Sequence, residues 1–188
     1  MIRGTRIALR PIRDEDWSLL EHWAEDRDAL WGLYQRYQLD HIPQLKEAYR
    51  QTGLLSRQAA FFMIETVIDQ KVIGFVRYTL LSFPDADLPY PEIGYGIANV
   101  DERGKGYAQE AVELLINYLF DGYPCERLTA FTDIENVPSQ KVLEKLGFQR
   151  EGILRRVTFR DGRWCDMAMY GLIRSEHQQR GHNKGEIL

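Results

Sequence analysis

The chain has 188 residues, 44% of them hydrophobic and 28% charged, and a net charge of −4. This is the length and balance of one soluble globular domain with room for a real core. The negative charge argues against an electrostatic nucleic-acid binder and favours a cationic or amine-bearing partner. The two cysteines, Cys125 and Cys165, share no metal or redox spacing, so the expectation is free thiols, a reducing compartment and no metal. No apolar run reaches membrane length, and Met1-Ile2-Arg3-Gly4 has no signal-peptide core. A cytoplasmic protein that engages no membrane and no nucleic acid follows as the expectation.

In chain order, Thr5–Ile12 alternates Ile7, Leu9 and Ile12 with polar residues and predicts a strand. Arg3, Arg6, Arg10 and Arg13 are read as the solvated side of that strand. Asp14-Glu15-Asp16 makes a cap and acidic first turn, and Trp17, Leu20 and Trp23 lie on one side of a first helix. Asp26–Tyr37 is aromatic, with Trp31, Tyr34 and Tyr37, and reads either as core packing or as a wall of an acceptor pocket. Asp40–Gln51 is read as helical after Pro43. Ala60–Ile68 and Lys71–Leu81 flank Asp69-Gln70 and predict a hairpin, followed by a loop over Phe83–Pro91.

Glu92–Ala108 organises the chain. Ile93, Tyr95 and Ile97 alternate with Glu92, Gly94 and Gly96, so one face of this strand is almost bare and another backbone or a ligand can come close. From Arg103 to Ala108 the turn offers backbone N–H groups with little side-chain cover. Ala108, Ala111, Val112, Leu115, Ile116 and Leu119 then mark the buried stripe of a helix. A helix start with exposed N–H groups is an anion site. Two familiar phosphate loops fail here. Gly106, not a hydroxyl residue, follows Gly104-Lys105, and Gln109 stands where a dinucleotide fingerprint needs glycine.

Further on, Arg127–Thr132 predicts a short strand, and Asn136-Val137-Pro138-Ser139 starts a helix that ends at Leu146-Gly147. Phe148–Phe159 and Arg163–Ile173 surround Asp161-Gly162, a hairpin signal. The polar segment Ser175–Leu188 is read as a frayed tail, which gives one domain over 1–174 and a tail over 175–188. His22, His41, His177 and His182 form no motif.

Arg103-x-x-Gly106-x-Ala108, between a strand and a helix, resembles the Gln/Arg-x-x-Gly-x-Gly/Ala signature of the GNAT superfamily of N-acetyltransferases. Asn136-x-x-Ser139-x-x-x-Leu143-x-x-x-Gly147-Phe148 is similar to a segment of that superfamily's ribosomal-protein branch, the RimJ/RimL type. Leu9-Arg10-Pro11, Asp14-Glu15-Asp16 and Arg160-Asp161-Gly162 resemble the same branch, and the likeness runs from about Thr5 to Ile173. The resemblance implies an α/β GNAT fold, a mixed, mostly antiparallel sheet flanked by helices, with a V-shaped split at the acetyl-CoA site. It implies that the turn Arg103, Gly104, Lys105, Gly106, Tyr107 and Ala108 wraps the pyrophosphate of acetyl-CoA. It also places a strand bulge near Tyr95, Gly96 and Ile97, whose N–H groups polarise the carbonyl while the strand edge meets the pantetheine arm.

The resemblance implies direct acetyl transfer to a primary amine in a ternary complex, and four tasks follow. The phosphates are held, the carbonyl is polarised, the amine is made neutral and the leaving thiolate gains a proton. Glu92 is read either as the general base, direct or through water, or as an exposed strand glutamate. A terminal α-amine (pKa about 7.7–8.0) costs about 1–1.4 kcal/mol to neutralise at pH 7, and a lysine amine about 4.6 kcal/mol, so only the former tolerates a weak base. Ser139 is read as proton donor to the thiolate, where other GNAT enzymes often carry tyrosine, or as a first-turn hydroxyl bonding backbone. Asn136 resembles the residue that holds the pantetheine arm and also suits a helix cap. Lys105 and Lys141 are read either as phosphate partners or as solvated charges. The acceptor is a protein N-terminus or a small amine, with the acidic Asp85–Asp87 loop leaning toward a cation, and the protein is a monomer or homodimer. The rival readings are a catalytically silent acyl-CoA-binding sensor or scaffold and, disfavoured by the failed phosphate loops, a nucleotide switch.

Overall fold

The computed structural model describes residues 1–26, 28–29 and 41–185. Trp31, Tyr34 and Tyr37, read above as core or pocket wall, lie outside the described residues. The strands are β1 (Ile2–Arg3), β2 (Ile7–Pro11), β3 (Ala59–Thr66), β4 (Val72–Leu81), β5 (Tyr90–Ile97), β6 (Arg127–Asp133), β7 (Gln149–Arg160) and β8 (Arg163–Ile173). They form one eight-stranded sheet in the order β1-β2-β3-β4-β5-β6-β8-β7. Every neighbouring pair is antiparallel except β5 and β6, which run parallel. The helices are α1 (Trp17–Glu25), α2 (His41–Thr52), α3 (Tyr107–Gly122), α4 (Val137–Lys145) and α5 (Arg174–Gly185). Among the described residues no helix is long and apolar enough to cross a membrane.

The sheet is covered on both faces. Phe62, Ile64, Val76, Tyr78 and Ile93 pack with Ala111, Val112, Leu115, Ile116 and Leu119 of α3 and Leu143 of α4. Phe61, Met63 and Phe75 point the other way, to Leu20 and Trp23 of α1 and Ile42 of α2. Burial on both faces is why β3 reads as an unbroken apolar run, Ala59–Ile64, rather than an alternating one. The predicted α3 stripe is the buried one except for Ala108, which is half-buried at the helix start. Leu115 and Leu119 have no exposed surface, and each such side chain contributes about 1.5–3 kcal/mol over staying in water.

Two expectations are corrected. The N-terminal arginines are not all solvated, since Arg10 is only 3% exposed. Its guanidinium grips both oxygens of buried Asp16, at 2.7 and 2.8 Å, and also bonds Glu65 of β3. Those hydrogen bonds, Asp16 first, raise the Arg10 pKa against the opposing effect of burial. Burial alone would raise the Asp16 pKa, yet Arg10 and the Arg13 amide outweigh it and hold the carboxyl below its ordinary value. A depressed carboxyl pKa stabilises the fold above the unfolded-state value of about 3.9 and stops doing so as pH falls through the folded value. Arg10→Met is therefore expected to lower unfolding free energy by about 3 kcal/mol at pH 7, because buried carboxylates lose their partner. Denaturant unfolding at pH 7 and in acid checks this, with the deficit shrinking in acid.

The second correction is the polar C-terminus, which folds as α5 where a frayed tail was expected. The Arg174 side chain donates to the carbonyls of Phe120 and Tyr123 at 2.6 Å and of Cys125 at 2.9 Å. It thereby satisfies acceptors that the end of α3 leaves open. Arg180 donates to the Lys145 carbonyl at the end of α4 at 2.6 Å. Side chains on backbone acceptors hold this helix, so no apolar stripe announces it.

Candidate active site

The site grows from the one parallel pairing in the sheet. Against β4 the register of β5 runs unbroken from Leu81↔Tyr90 to Gly74↔Ile97. Against β6 it holds only at Glu92↔Thr129 and Ile93↔Ala130. Beyond Ile93 the two strands part, while β6 continues along β8 to Asp133↔Met167. The second half of β5, including Tyr95, Gly96 and Ile97, thus borders a wedge. The expected bulge does not interrupt the β4 register. The opening instead lies wholly on the β6 side, where the chain stops pairing.

Glu92 stands at the closed end of that wedge. Its side chain is 13% exposed and accepts a hydrogen bond at 2.9 Å from Arg77 of β4. It is not the open-surface glutamate that one reading of the sequence allows. Burial pushes its pKa up, and the charge and hydrogen bond of Arg77 pull it part of the way back. Gly94 explains how the arginine fits. A Cβ there would lie 2.9–3.1 Å from the Arg77 guanidinium, so the bare strand face leaves room for a neighbouring cation. The sequence reading missed Arg77. Its signal is the hairpin register, which puts Arg77 opposite Gly94, two positions from Glu92 and so on the same face of the sheet.

Ser139 lies across the wedge, in the first turn of α4. The Asn136 side chain accepts a hydrogen bond from the Ser139 amide at 3.2 Å, so the capping role expected of Asn136 is present. The Tyr95 hydroxyl reaches over from β5 to lie 2.9 Å from Ser139 Oγ and 3.1 Å from its carbonyl oxygen. Burial raises the Tyr95 pKa to about 12, with the Ser139 bond pulling down. The structure therefore brings Ser139, Asn136 and Tyr95 together. Tyr95 enters through its phenol, a role the sequence reading did not give it. Glu92, three residues from Tyr95 on the same strand, faces the other side of the sheet, where it meets Arg77.

At the open end lies the glycine turn. Gly104 (φ +75°) and Gly106 (φ +84°) take left-handed conformations that L side chains resist, and Gly106 opens α3 with no side-chain cap. Its first N–H groups and bare backbone fit a diphosphate. The flanking charges behave otherwise than expected. Arg103 folds back onto the chain, donating to the carbonyls of Ile97 at 2.9 Å, Ala29 at 3.2 Å and Asp28. Lys105 pairs with Glu102 at 2.8 Å. Tyr107 and Ala108 form the start of α3, half-buried, and Lys141 is exposed on α4. Among the described residues no group of three or more His, Cys, Asp or Glu is placed to hold a metal ion.

Comparison with known proteins agrees with this fold. The acetyltransferase (GNAT) domain family matches residues 6–149. An uncharacterized N-acetyltransferase, p20, of Bacillus licheniformis is 31% identical over 92% of this chain and 95% of its own. The [ribosomal protein uS5]-alanine N-acetyltransferase of Escherichia coli is 25% identical over 89% of this chain and 87% of its own. Among solved structures, spermidine N-acetyltransferase from Vibrio cholerae in complex with CoA and spermine superposes with a TM-score of 0.78 at 19% identity, covering 93% of this chain and 99% of that one. The chain belongs to the GNAT family and is an N-acetyltransferase with the α/β GNAT fold.

Proposed function

We propose that this enzyme transfers the acetyl group of acetyl-CoA directly to a primary amine, with acceptor and donor bound together. The observation that carries the reading is the wedge itself. A partly buried carboxylate, Glu92, lies at one side and a hydroxyl pair, Ser139 and Tyr95, at the other. Acetyl-CoA supplies the activated acetyl group. Its diphosphate is assigned to the backbone of Arg103–Ala108 and its arm to Asn136 and the free edge of Tyr95–Ile97, with Lys105 and Lys141 as outer charges. Glu92 takes the proton of the acceptor ammonium. Ser139 holds the proton for the departing thiol, and the Tyr95 phenol behind it supplies an acidity that a serine hydroxyl lacks.

The acceptor reading follows from Glu92. Burial strengthens it as a base and Arg77 restrains that gain, so it remains a carboxylate base far weaker than an amine, which suits an α-amine better than a lysine-type amine, because neutralising the latter costs about 3 kcal/mol more at pH 7. The likeness to the ribosomal-protein alanine acetyltransferase supports a protein N-terminus and the RimJ/RimL-type branch. A polyamine is the second reading, favoured by the exposed Asp85 and Asp87 in the loop before β5. A silent sensor would need neither the partly buried Glu92 nor the Ser139–Tyr95 pair. Thiol release from acetyl-CoA, measured against α-amine peptides, polyamines, amino acids and aminoglycosides, tests the whole reading. Release with one class names the acceptor, and binding of acetyl-CoA without release on any class returns the sensor.

Ser139→Ala is expected to slow turnover about 10- to 100-fold, the low end of general-acid effects, with KM for acetyl-CoA little changed. Tyr95→Phe should slow it less, and the double variant should be no slower than Ser139→Ala alone, because the two hydroxyls act as one unit. Steady-state kinetics of the three variants checks this. Additive losses would separate their roles.

A further inference from the structure

Arg6 belongs to the solvated-strand quartet in sequence, yet it is built into the glycine turn. Its Nη1 donates to the Lys105 carbonyl at 2.8 Å, and its Nε donates to Glu110 of α3 at 2.9 Å. The Arg6 amide donates to the other Glu110 oxygen at 2.8 Å, so Glu110 fixes both the backbone and the side chain of Arg6. Burial would raise the Glu110 pKa, but these bonds and one from the Ile7 amide hold it below the ordinary value. The guanidinium lies over the Tyr107 ring, 5.0 Å from its centre. The remaining nitrogen, Nη2, lies 3.3 Å from where a Cβ on Gly106 would be. Arg6 is about half exposed.

We propose that Arg6 is a diphosphate-binding residue of the acetyl-CoA site, holding the Lys105–Gly106 backbone in shape and presenting Nη2 beside Gly106. The turn's own cations are directed elsewhere, Arg103 to carbonyls and Lys105 to Glu102. Gly106 leaves the space between Arg6 and the ligand clear, and the planar fork serves turn and phosphate together. This inference rests on the acetyl-CoA reading above.

The test is calorimetric titration of the wild type, Arg6→Met and Arg6→Lys with CoA and with pantetheine, which has the same arm but no diphosphate. Arg6→Met is expected to weaken CoA binding about 10- to 100-fold, as for loss of a charge-assisted hydrogen bond, and to leave pantetheine binding unchanged. Its CoA affinity should also depend less on salt than that of the wild type. Arg6→Lys should fall between the two, because the charge stays and the fork is lost. If Arg6→Met does not fold, the CoA-to-pantetheine ratio of Arg6→Lys decides alone. Equal losses for both ligands, or no loss for CoA, would overturn the proposal. A folded wild type that binds pantetheine and not CoA would overturn it too, and one that binds neither would take down the acetyl-CoA reading itself.

Discussion

Glu92→Gln is expected to lower turnover about 10²- to 10⁴-fold, the range for losing a positioned general base. The substitution keeps the size of the side chain and an acceptor for Arg77, so the hydrogen bond at 2.9 Å has a successor and the fold is kept. The pH profile carries the stronger signature. A general base at Glu92 has to be ionised to take a proton, so on the proposed mechanism wild-type turnover is expected to fall as pH drops through its pKa. Burial raises that value above a glutamate's ordinary one, with Arg77 restraining it. The glutamine variant loses this acid limb. Its deficit should be greatest between the Glu92 pKa and that of the acceptor amine, where the amine still carries a proton that something must remove. Above the amine's own pKa the deficit shrinks, since the acceptor is already neutral. Turnover and profile matching the wild type would remove Glu92 from the chemistry.

Gly106→Glu is expected to weaken acetyl-CoA binding more than about 100-fold, or about 2.7 kcal/mol. Three effects point the same way. The φ of +84° is left-handed, which costs a residue with a Cβ about 1–2 kcal/mol. The new Cβ would lie 3.3 Å from Arg6 Nη2, so the Arg6 guanidinium would turn to the introduced carboxylate. A negative charge would then stand where phosphate oxygens are to go. Because Gly106 is exposed and terminal to α3, thermal unfolding should shift by only a few degrees. Calorimetry with acetyl-CoA beside a melting curve separates lost binding from lost fold, and unchanged affinity would sink the placement of the diphosphate.

What the sequence made legible was whatever repeats along it. The alternation of Ile93, Tyr95 and Ile97 and the stripe from Ala111 to Leu119 are periodic, and a period reports which face is buried without knowing the partner. The Asp161-Gly162 hairpin was legible because turn chemistry is local. Contacts made by single side chains across the fold were not. Arg10 looks like its three neighbours until Glu65, from another strand, closes the cluster. Arg77 becomes a partner of Glu92 only through the β4–β5 register. The Tyr95 phenol meets Ser139 only because β5 and β6 part after Ile93, and the pattern of either strand alone does not show where they part. The motif marks the turn at Arg103–Ala108 but not the course of the Arg103 side chain, which bonds the carbonyls of Ile97 and Ala29.

The grip of Arg174 on the end of α3 bears on how this enzyme can be trimmed or tagged. Cutting the chain after Ile173 would look harmless, because every strand and both helices on the wedge side would remain. It would nevertheless strip the donor from the carbonyl of Phe120 in the last turn of α3, the helix whose opposite end carries the glycine turn, and from those of Tyr123 and Cys125 just beyond it. A deletion meant only to tidy a polar end would therefore loosen the far end of the helix that begins at the glycine turn. Shortening should stop beyond Arg180, and a fusion partner belongs after α5 rather than in its place.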